Sequence, residues 1–280
     1  MKAPSPVKIN RSNWREFAAP AVDPSRWTAI VPAAGRGSRL GSSRPKVLYP
    51  VGGRLLIEWL LDFLEPNCSR IVFVLSPEGA PEVRPELERL IPGRYEIAIQ
   101  EEPRGMGDAV ELALSAVATP HLVIVWGDQV ALRRASVDAC LRLHEGPLHP
   151  AITCPTVVRP NPYIHFDRDA DGRISGLRQA REGDTMPEEG ESDTGFFCFE
   201  TQTLRGLLAD LRRAPGQEGR STGEFNFLPI IPLASCRGLE IISPELMTLG
   251  ETVGINSVAD AAAAEAFLQS SNASTDQYID

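Results

Sequence analysis

Apolar and polar positions alternate along this chain in two rhythms. Short apolar runs closed by small or turn-forming residues form the first: TAIVPA (28–33), stopped by Gly35, then RIVFVLS (70–76), YEIAIQ (95–100) and HLVIVWGD (121–128), which ends in an acid. Runs of this length read as strands buried on both faces. The second rhythm has a period of 3.6. RLLIEWLLDFLE (54–65) sets Leu56, Trp59, Leu60, Phe63 and Leu64 on one stripe, and GDAVELALSAVA (107–118) is rich in helix-forming alanine. Strands alternating with helices of this size predict βαβ units and a mostly parallel sheet with helices on both faces.

After residue 150 the regularity weakens. YIHFDRDADGRISGLRQA (163–180) reads as two strands joined at Asp171-Gly172, a hairpin signal. TGFFCFE (194–200) follows as a strand, then TLRGLLADLRR (203–213) and SVADAAAAEAFLQ (257–269) as helices. Residues 1–25, with Pro4, Pro6, Pro20 and Pro24, read as an N-terminal extension lying on the surface. The body spans 26–270, divided into halves at 150, and 271–280 reads as a flexible tail. The acidic, glycine-containing stretch 182–192 is open between a mobile lid and an ordinary surface loop.

Composition narrows the class. Glycine (23) and proline (24) together make about a sixth of the chain, short of low complexity. The net charge of −9 argues against a nucleic-acid binder, since little would release counterions from a phosphate backbone. Residues 1–14 carry no apolar core of a signal peptide, and no run approaches ~18 apolar residues. A cytoplasmic protein without membrane attachment is expected. The five cysteines are odd in number and lack any CxxC, so they read as buried small hydrophobes in a reducing compartment. The four histidines show no zinc-ligand spacing.

One charge anomaly points to chemistry. From Pro24 to Ile57 there is no Asp or Glu, while Arg26, Arg36, Arg39, Arg44, Lys46 and Arg54 are all cationic. The centre of this segment, PAAGRGSRLGSSRPK (32–46), runs off the first strand. Ligands of open parallel sheets bind at the carboxyl ends of strands. Small residues at Ala33, Ala34, Gly35, Gly37 and Ser38 let backbone N–H groups approach an anion, and the cations add charge. Only three lysines occur beside 25 arginines, and Lys46 alone lies in the folded body, where a compact point charge suits a phosphate. A solvated basic loop is the alternative. Neither the Walker A nor the dinucleotide spacing fits: Leu40-Gly41 stands where Gly-Lys is required, and Gly35-Arg36-Gly37 meets its third glycine one residue late.

AAGRGSRLGSSRPKVLYPVGG (33–53) resembles the signature loop of the sugar-1-phosphate nucleotidyltransferases, especially the uridylyltransferase domain of the bifunctional N-acetylglucosamine-1-phosphate enzyme. Further segments match in order over about residues 27–270: QEEPRGMGDAV (100–110), VIVWGDQ (123–129), SDTGFF (192–197), GEFNFLP (223–229) and VGIN (253–256). The resemblance implies an α/β fold, a Rossmann-like three-layer sandwich of the nucleotide-diphospho-sugar transferase type. Its nucleotide-binding half would be 26–150, and a β-rich acceptor-binding insertion would occupy 151–270. No hexapeptide repeat follows residue 256, so a stand-alone transferase without the acetyltransferase domain is expected.

By that resemblance Arg39 and Lys46 are catalytic, activating the triphosphate and the incoming phosphate. Ala33, Ala34, Gly35, Arg36, Gly37, Ser38, Gln100, Gly105, Met106 and Gly127 bind the nucleotide. Tyr163, Gln179, Asp193 and Thr194 bind the acceptor, and Asp128 and Asn256 hold Mg²⁺. Structural readings remain beside these: a turn or helix cap for Asp128, a helix N-cap for Asn256, a turn hydrogen bond for Gln100. The partners would be an NTP, UTP as the first guess, and a small phosphorylated acceptor. A homo-oligomer is left open, and no nucleic acid or membrane is expected. Ile164 replaces an expected glycine, Gln179 a glutamate, Asp193 an asparagine and Met106 a threonine. Three of these changes fall on the acceptor side, which points to an unusual acceptor such as a cyclitol phosphate. Alternatives are a cytidylyl- or guanylyltransferase, or a non-catalytic nucleotide-sugar-binding protein.

Overall fold

A computed structural model of the chain describes residues 6–35, 37, 40–41, 44–214 and 218–273, with side chains to residue 270. Its elements are β1 (Trp27–Pro32), β2 (Pro50–Val51), β3 (Arg54–Leu55), α1 (Leu56–Leu64), β4 (Arg70–Leu75), α2 (Ala80–Leu90), β5 (Tyr95–Ile99), α3 (Met106–Leu114), β6 (His121–Val125) and α4 (Arg134–His144). The second half adds β7 (Ile152–Thr153), β8 (Thr156–Pro160), β9 (Ile164–Arg168), β10 (Ile174–Gln179), β11 (Glu189–Asp193), β12 (Phe196–Glu200), α5 (Thr201–Arg213), α6 (Ile230–Cys236), β13 (Ile241–Ile242) and α7 (Val258–Ala273).

Seven strands form one sheet in the order β13-β7-β12-β6-β1-β4-β5. β12 alone runs antiparallel to its neighbours, β6 and β7. The strand sequences are apolar without alternation because both faces are covered. Ala29 and Val31 join one core with Phe63, Val83 and Leu141, while Ile30 joins the other with Val110, Leu207 and Ile231. This is the expected three-layer α/β sandwich. From β1 the chain moves outward to β4 and β5, then returns to place β6 on β1's other side. That reversal opens a crevice at the carboxyl ends of β1 and β6, where ligands of such sheets bind.

The hairpin expected at Asp171-Gly172 is β9–β10, with Gly172 at φ +84. A second antiparallel pair, β8–β11, lies beside it. Several expectations are corrected. Ile9 and Trp14 of the extension are buried in the core, and Asn10 bridges Glu245, so residues 6–25 pack into the body rather than lie on it. Residues 189–192 belong to β11 and are neither lid nor loop. Cys236 is exposed, whereas the other four cysteines are buried and all five are free. Residues 274–280 of the expected tail lie outside the described residues.

Candidate active site

The crevice is assembled by three segments far apart in sequence. The first leaves β1 at Ala33, whose N–H donates to the Val74 carbonyl. At Gly37 the backbone has φ +62, and a Cβ there would sit 3.2 Å from the Lys46 Cβ, so glycine lets the turn close over the lysine. Lys46 opens a short 3-10 turn whose next residues, Val47 and Leu48, are buried. They anchor the backbone and leave the ammonium facing the crevice. The second segment leaves β6 through Gly127, where a Cβ would lie 3.0 Å from the Pro32 carbonyl oxygen. Glycine thus brings Asp128 against the end of β1. The third is 253–256: Ile255 N–H donates to the Asp128 carbonyl at 3.1 Å, and Gly254 bridges Gln129.

These contacts bring Lys46, Asp128 and Asn256 together. Lys46 Nζ donates to Asp128 Oδ2 at 2.7 Å and to Asn256 Oδ1 at 2.9 Å. Only 15% of the lysine and 20% of the aspartate side chain is exposed, so solvent screens the pair weakly. Asn256 is not the cap of the last helix. Ser257 Oγ accepts from Asp260 N–H, while the Asp260 carboxylate accepts from the N–H groups of Asn256 and Ser257. That reciprocal capping frees the Asn256 amide for the crevice.

The charge anomaly resolves into parts. Arg26 lies 3.6 Å from Glu145, Arg44 lies 3.5 Å from Glu82, and Arg54 pairs with Asp62 while stacking on Trp59. Those three support the scaffold. Lys46 enters the crevice, and Arg36, Ser38 and Arg39 lie outside the described residues.

Beside this cluster, Gly105 opens α3 with φ +108. A Cβ there would meet the Phe225 carbonyl oxygen at 2.6 Å, and Phe225 exchanges backbone bonds with Arg104 and Gly107. Gln100 Nε2 donates to the Gly105 carbonyl at 3.1 Å and to Asp108 Oδ2 at 2.9 Å. The turn hydrogen bond weighed for Gln100 is therefore present. It also fixes the amide: both nitrogen protons face inward, and Oε1 is turned the other way.

A cleft of about 380 Å³ runs from Met106, Trp126 and Asp128 to the β8–β11 pair and the β9–β10 hairpin. Of the four residues expected to bind an acceptor, Tyr163, Gln179 and Asp193 line it and Thr194 does not, and Asn256 closes one end. Tyr163 stands 57% exposed at its mouth. Burial raises the Asp193 carboxyl above its ordinary value, opposed by the Gly195 N–H it accepts and by Arg159. Thr194 is buried, its hydroxyl without a hydrogen-bond partner among the described residues. Arg159, Arg181 and Asn226 also line the cleft, and sequence reasoning missed them. Arg159 and Arg181 carry no local motif, and Asn226, although it lies in the matched segment GEFNFLP, is brought there by a loop distant in sequence from the other lining residues.

The loop that carries Asn226 is held by Glu182. Its carboxylate accepts from Thr222 Oγ1 at 2.7 Å, Ser221 N–H at 2.9 Å and Asn226 Nδ2 at 3.0 Å. Burial pushes this carboxyl up, but the Thr222, Ser221 and Asn226 bonds outweigh it and hold it at about 2. A depressed folded-state value means stability that is full above the unfolded value and lost as pH falls. Wild-type melting temperature should therefore drop more steeply than that of Glu182→Gln as pH falls from about 4.5 toward 2. Parallel pH curves for the two proteins would refute this anchoring role.

Among the described residues no group of three or more His, Cys, Asp or Glu side chains is arranged for a metal. Asp128 Oδ2 and Asn256 Oδ1 nevertheless converge on one cationic centre, the Lys46 ammonium. Two hard oxygens suit magnesium, which usually takes one or two protein ligands and completes its shell with water and phosphate. No helix among the described residues is long and apolar enough to cross a membrane.

The chain resembles the Bifunctional protein GlmU of Paraburkholderia phymatum, with 31% identity over 81% of this chain and 49% of that protein. GlmU of Sorangium cellulosum is 30% identical over 89% of this chain and 53% of its own length. The chain thus spans about half the length of the curated relatives it matches. A solved structure titled as the inositol-1-phosphate CTP transferase from T. maritima superposes with a TM-score of 0.65 at 17% identity, covering 85% of this chain and 92% of that one. At that identity the likeness supports the fold. Residues 29–192 match the MobA-like NTP transferase domain, more than half of the chain, and the chain therefore belongs to this family of nucleotidyltransferase enzymes.

Proposed function

We propose that this protein joins an NTP to a sugar-1-phosphate or cyclitol phosphate, releasing pyrophosphate. The observation that carries the reading is the meeting of Lys46, Asp128 and Asn256 at the head of the cleft. Such a transfer needs no covalent protein chemistry; it needs in-line positioning and neutralised charge. An oxygen of the acceptor phosphate attacks the α-phosphorus of the NTP, and the bond to pyrophosphate breaks. Both reactants are anions and repel until cations screen them. The backbone at Ala33, Ala34, Gly35 and Gly37, with Lys46 and the neighbouring Arg36, Ser38 and Arg39, cradles the triphosphate. Asp128 and Asn256 hold magnesium, which when bound supplies charge neutralisation at phosphate oxygens.

Gln100, Gly105 and Met106 read the base. With its NH₂ group committed to Gly105 and Asp108, Gln100 has its carbonyl left to accept an N–H from the base. Uracil N3–H meets that need and is the first choice; the cytosine amino group meets it too. Tyr163, Gln179, Asp193 and Thr194 form the acceptor side, on a floor of Trp126 packed against Phe197 and Phe227. The test is pyrophosphate release over a panel of NTPs against sugar and cyclitol phosphates with magnesium. Release with at least one pair, UTP ranking first, is the expected result. Saturable nucleotide-sugar binding without release from any pair would favour a non-catalytic binding protein instead.

A further inference from the structure

Two arginines line the cleft, and their surroundings differ. Arg181 is committed to protein carboxylates: it pairs with Glu224, lies 3.3 Å from Glu182 and donates to Asn226 Oδ1 at 3.2 Å. Arg159 has one hydrogen bond, from Nη2 to Thr252 Oγ1 at 3.0 Å, and forms no ion pair among the described residues, although the Asp193 carboxyl that shares the cleft feels its charge. Its position follows from strand alternation. Along β8, Val157 is buried and Val158 is exposed, which puts Arg159 on the inward face with Val157. Thr252 then aims the guanidinium into the cleft, two residues before Gly254 and four before Asn256.

A half-buried guanidinium that forms no direct ion pair with the protein's own carboxylates keeps its fork open to an anion from outside. Building on the nucleotidyl-transfer reading, we propose that Arg159 is the acceptor-side phosphate ligand. It grips the phosphomonoester of the incoming polyol while Lys46 and its loop hold the triphosphate. Division of labour follows from place: Lys46 lies on the loop after β1, whereas Arg159 reaches the cleft from β8. The planar fork matches two oxygens of one phosphate, fixing the acceptor's orientation as well as its charge.

Isothermal titration tests this without turnover, using inositol 1-phosphate, glucose 1-phosphate, the two unphosphorylated polyols and inorganic phosphate as probes. Wild-type protein should bind a phosphorylated probe at least about tenfold more tightly than its unphosphorylated parent. Arg159→Ala should weaken that binding about 10- to 100-fold, the usual worth of a charge-assisted pair. Arg159→Lys should recover part of the loss, keeping charge without the fork. Where turnover is measurable, KM for the acceptor should rise and KM for the NTP should change less than about twofold. Thermal melts of both variants separate loss of binding from loss of folding. Equal binding by wild type and Arg159→Ala, a rise in NTP KM instead, or no binding of any phosphorylated probe by wild type would overturn the assignment. No pyrophosphate release by wild type, with phosphate binding still dependent on Arg159, would instead refute only the transfer reading.

Discussion

Lys46→Ala should lower turnover by at least about 100-fold, the usual loss when one preorganised charge-stabilising donor is removed. The lysine's Nζ sits 2.7 Å from Asp128 and 2.9 Å from Asn256, on the turn that leaves β1. Neither other lysine can substitute for it: Lys2 and Lys8 lie within the first ten residues, and Lys8 faces Glu245 at 3.3 Å. Truncation also leaves the Asp128 carboxylate without its partner, so some loss of stability accompanies the loss of rate. Steady-state kinetics beside thermal melts separate the two: the variant remains folded at the assay temperature while kcat falls. Lys46→Arg should remain impaired, because a planar fork cannot reproduce a point charge between two oxygens. Wild-type turnover in Lys46→Ala would show that the loop plays another part.

Asp128→Asn is expected to cost a similar factor, about 100-fold or more in kcat, by a different route. The amide keeps the size of the carboxylate and one oxygen for Lys46, so packing at Gly127 and the backbone bond from Ile255 are preserved. What it loses is the negative charge opposite Lys46 and the better oxygen donor for a divalent cation. The apparent magnesium requirement should shift upward together with the fall in kcat, while the melting temperature changes little. A variant with unchanged rate and unchanged magnesium dependence would remove Asp128 from the proposed machinery.

Much of this was legible in the chain itself. Strands β1, β4 and β6 are short apolar runs because each is buried on both faces, and that pattern needs no tertiary knowledge to see; β5, at the sheet edge, is half-buried throughout and was legible from the same kind of run. Lys46, Asp128 and Asn256 each sit in a recognisable segment, so their meeting could be expected although they are separated by 82 and 210 positions from Lys46. Helix α2 was hidden, since Pro81 and Pro85 break the helical signature that Val83 and Leu87 carry. The buried extension was hidden as well: Ile9 and Trp14 are isolated apolar residues among prolines, and only the folded body supplies their pocket. Arg159 and Arg181 look like any other of the 25 arginines in the sequence. Their difference lies in the carboxylates beside each: Glu182 and Glu224 stand against Arg181, and Glu224 comes from a loop 43 positions away in sequence.

The central claim is that the turn after β1 grips the triphosphate of an NTP. A crystal structure of the protein with magnesium and α,β-methylene UTP tests it most directly. The triphosphate should lie along the backbone from Ala33 to Gly37 with Lys46 in contact, and the base beside Gln100. A nucleotide bound elsewhere, with that turn making no phosphate contact, would contradict the account.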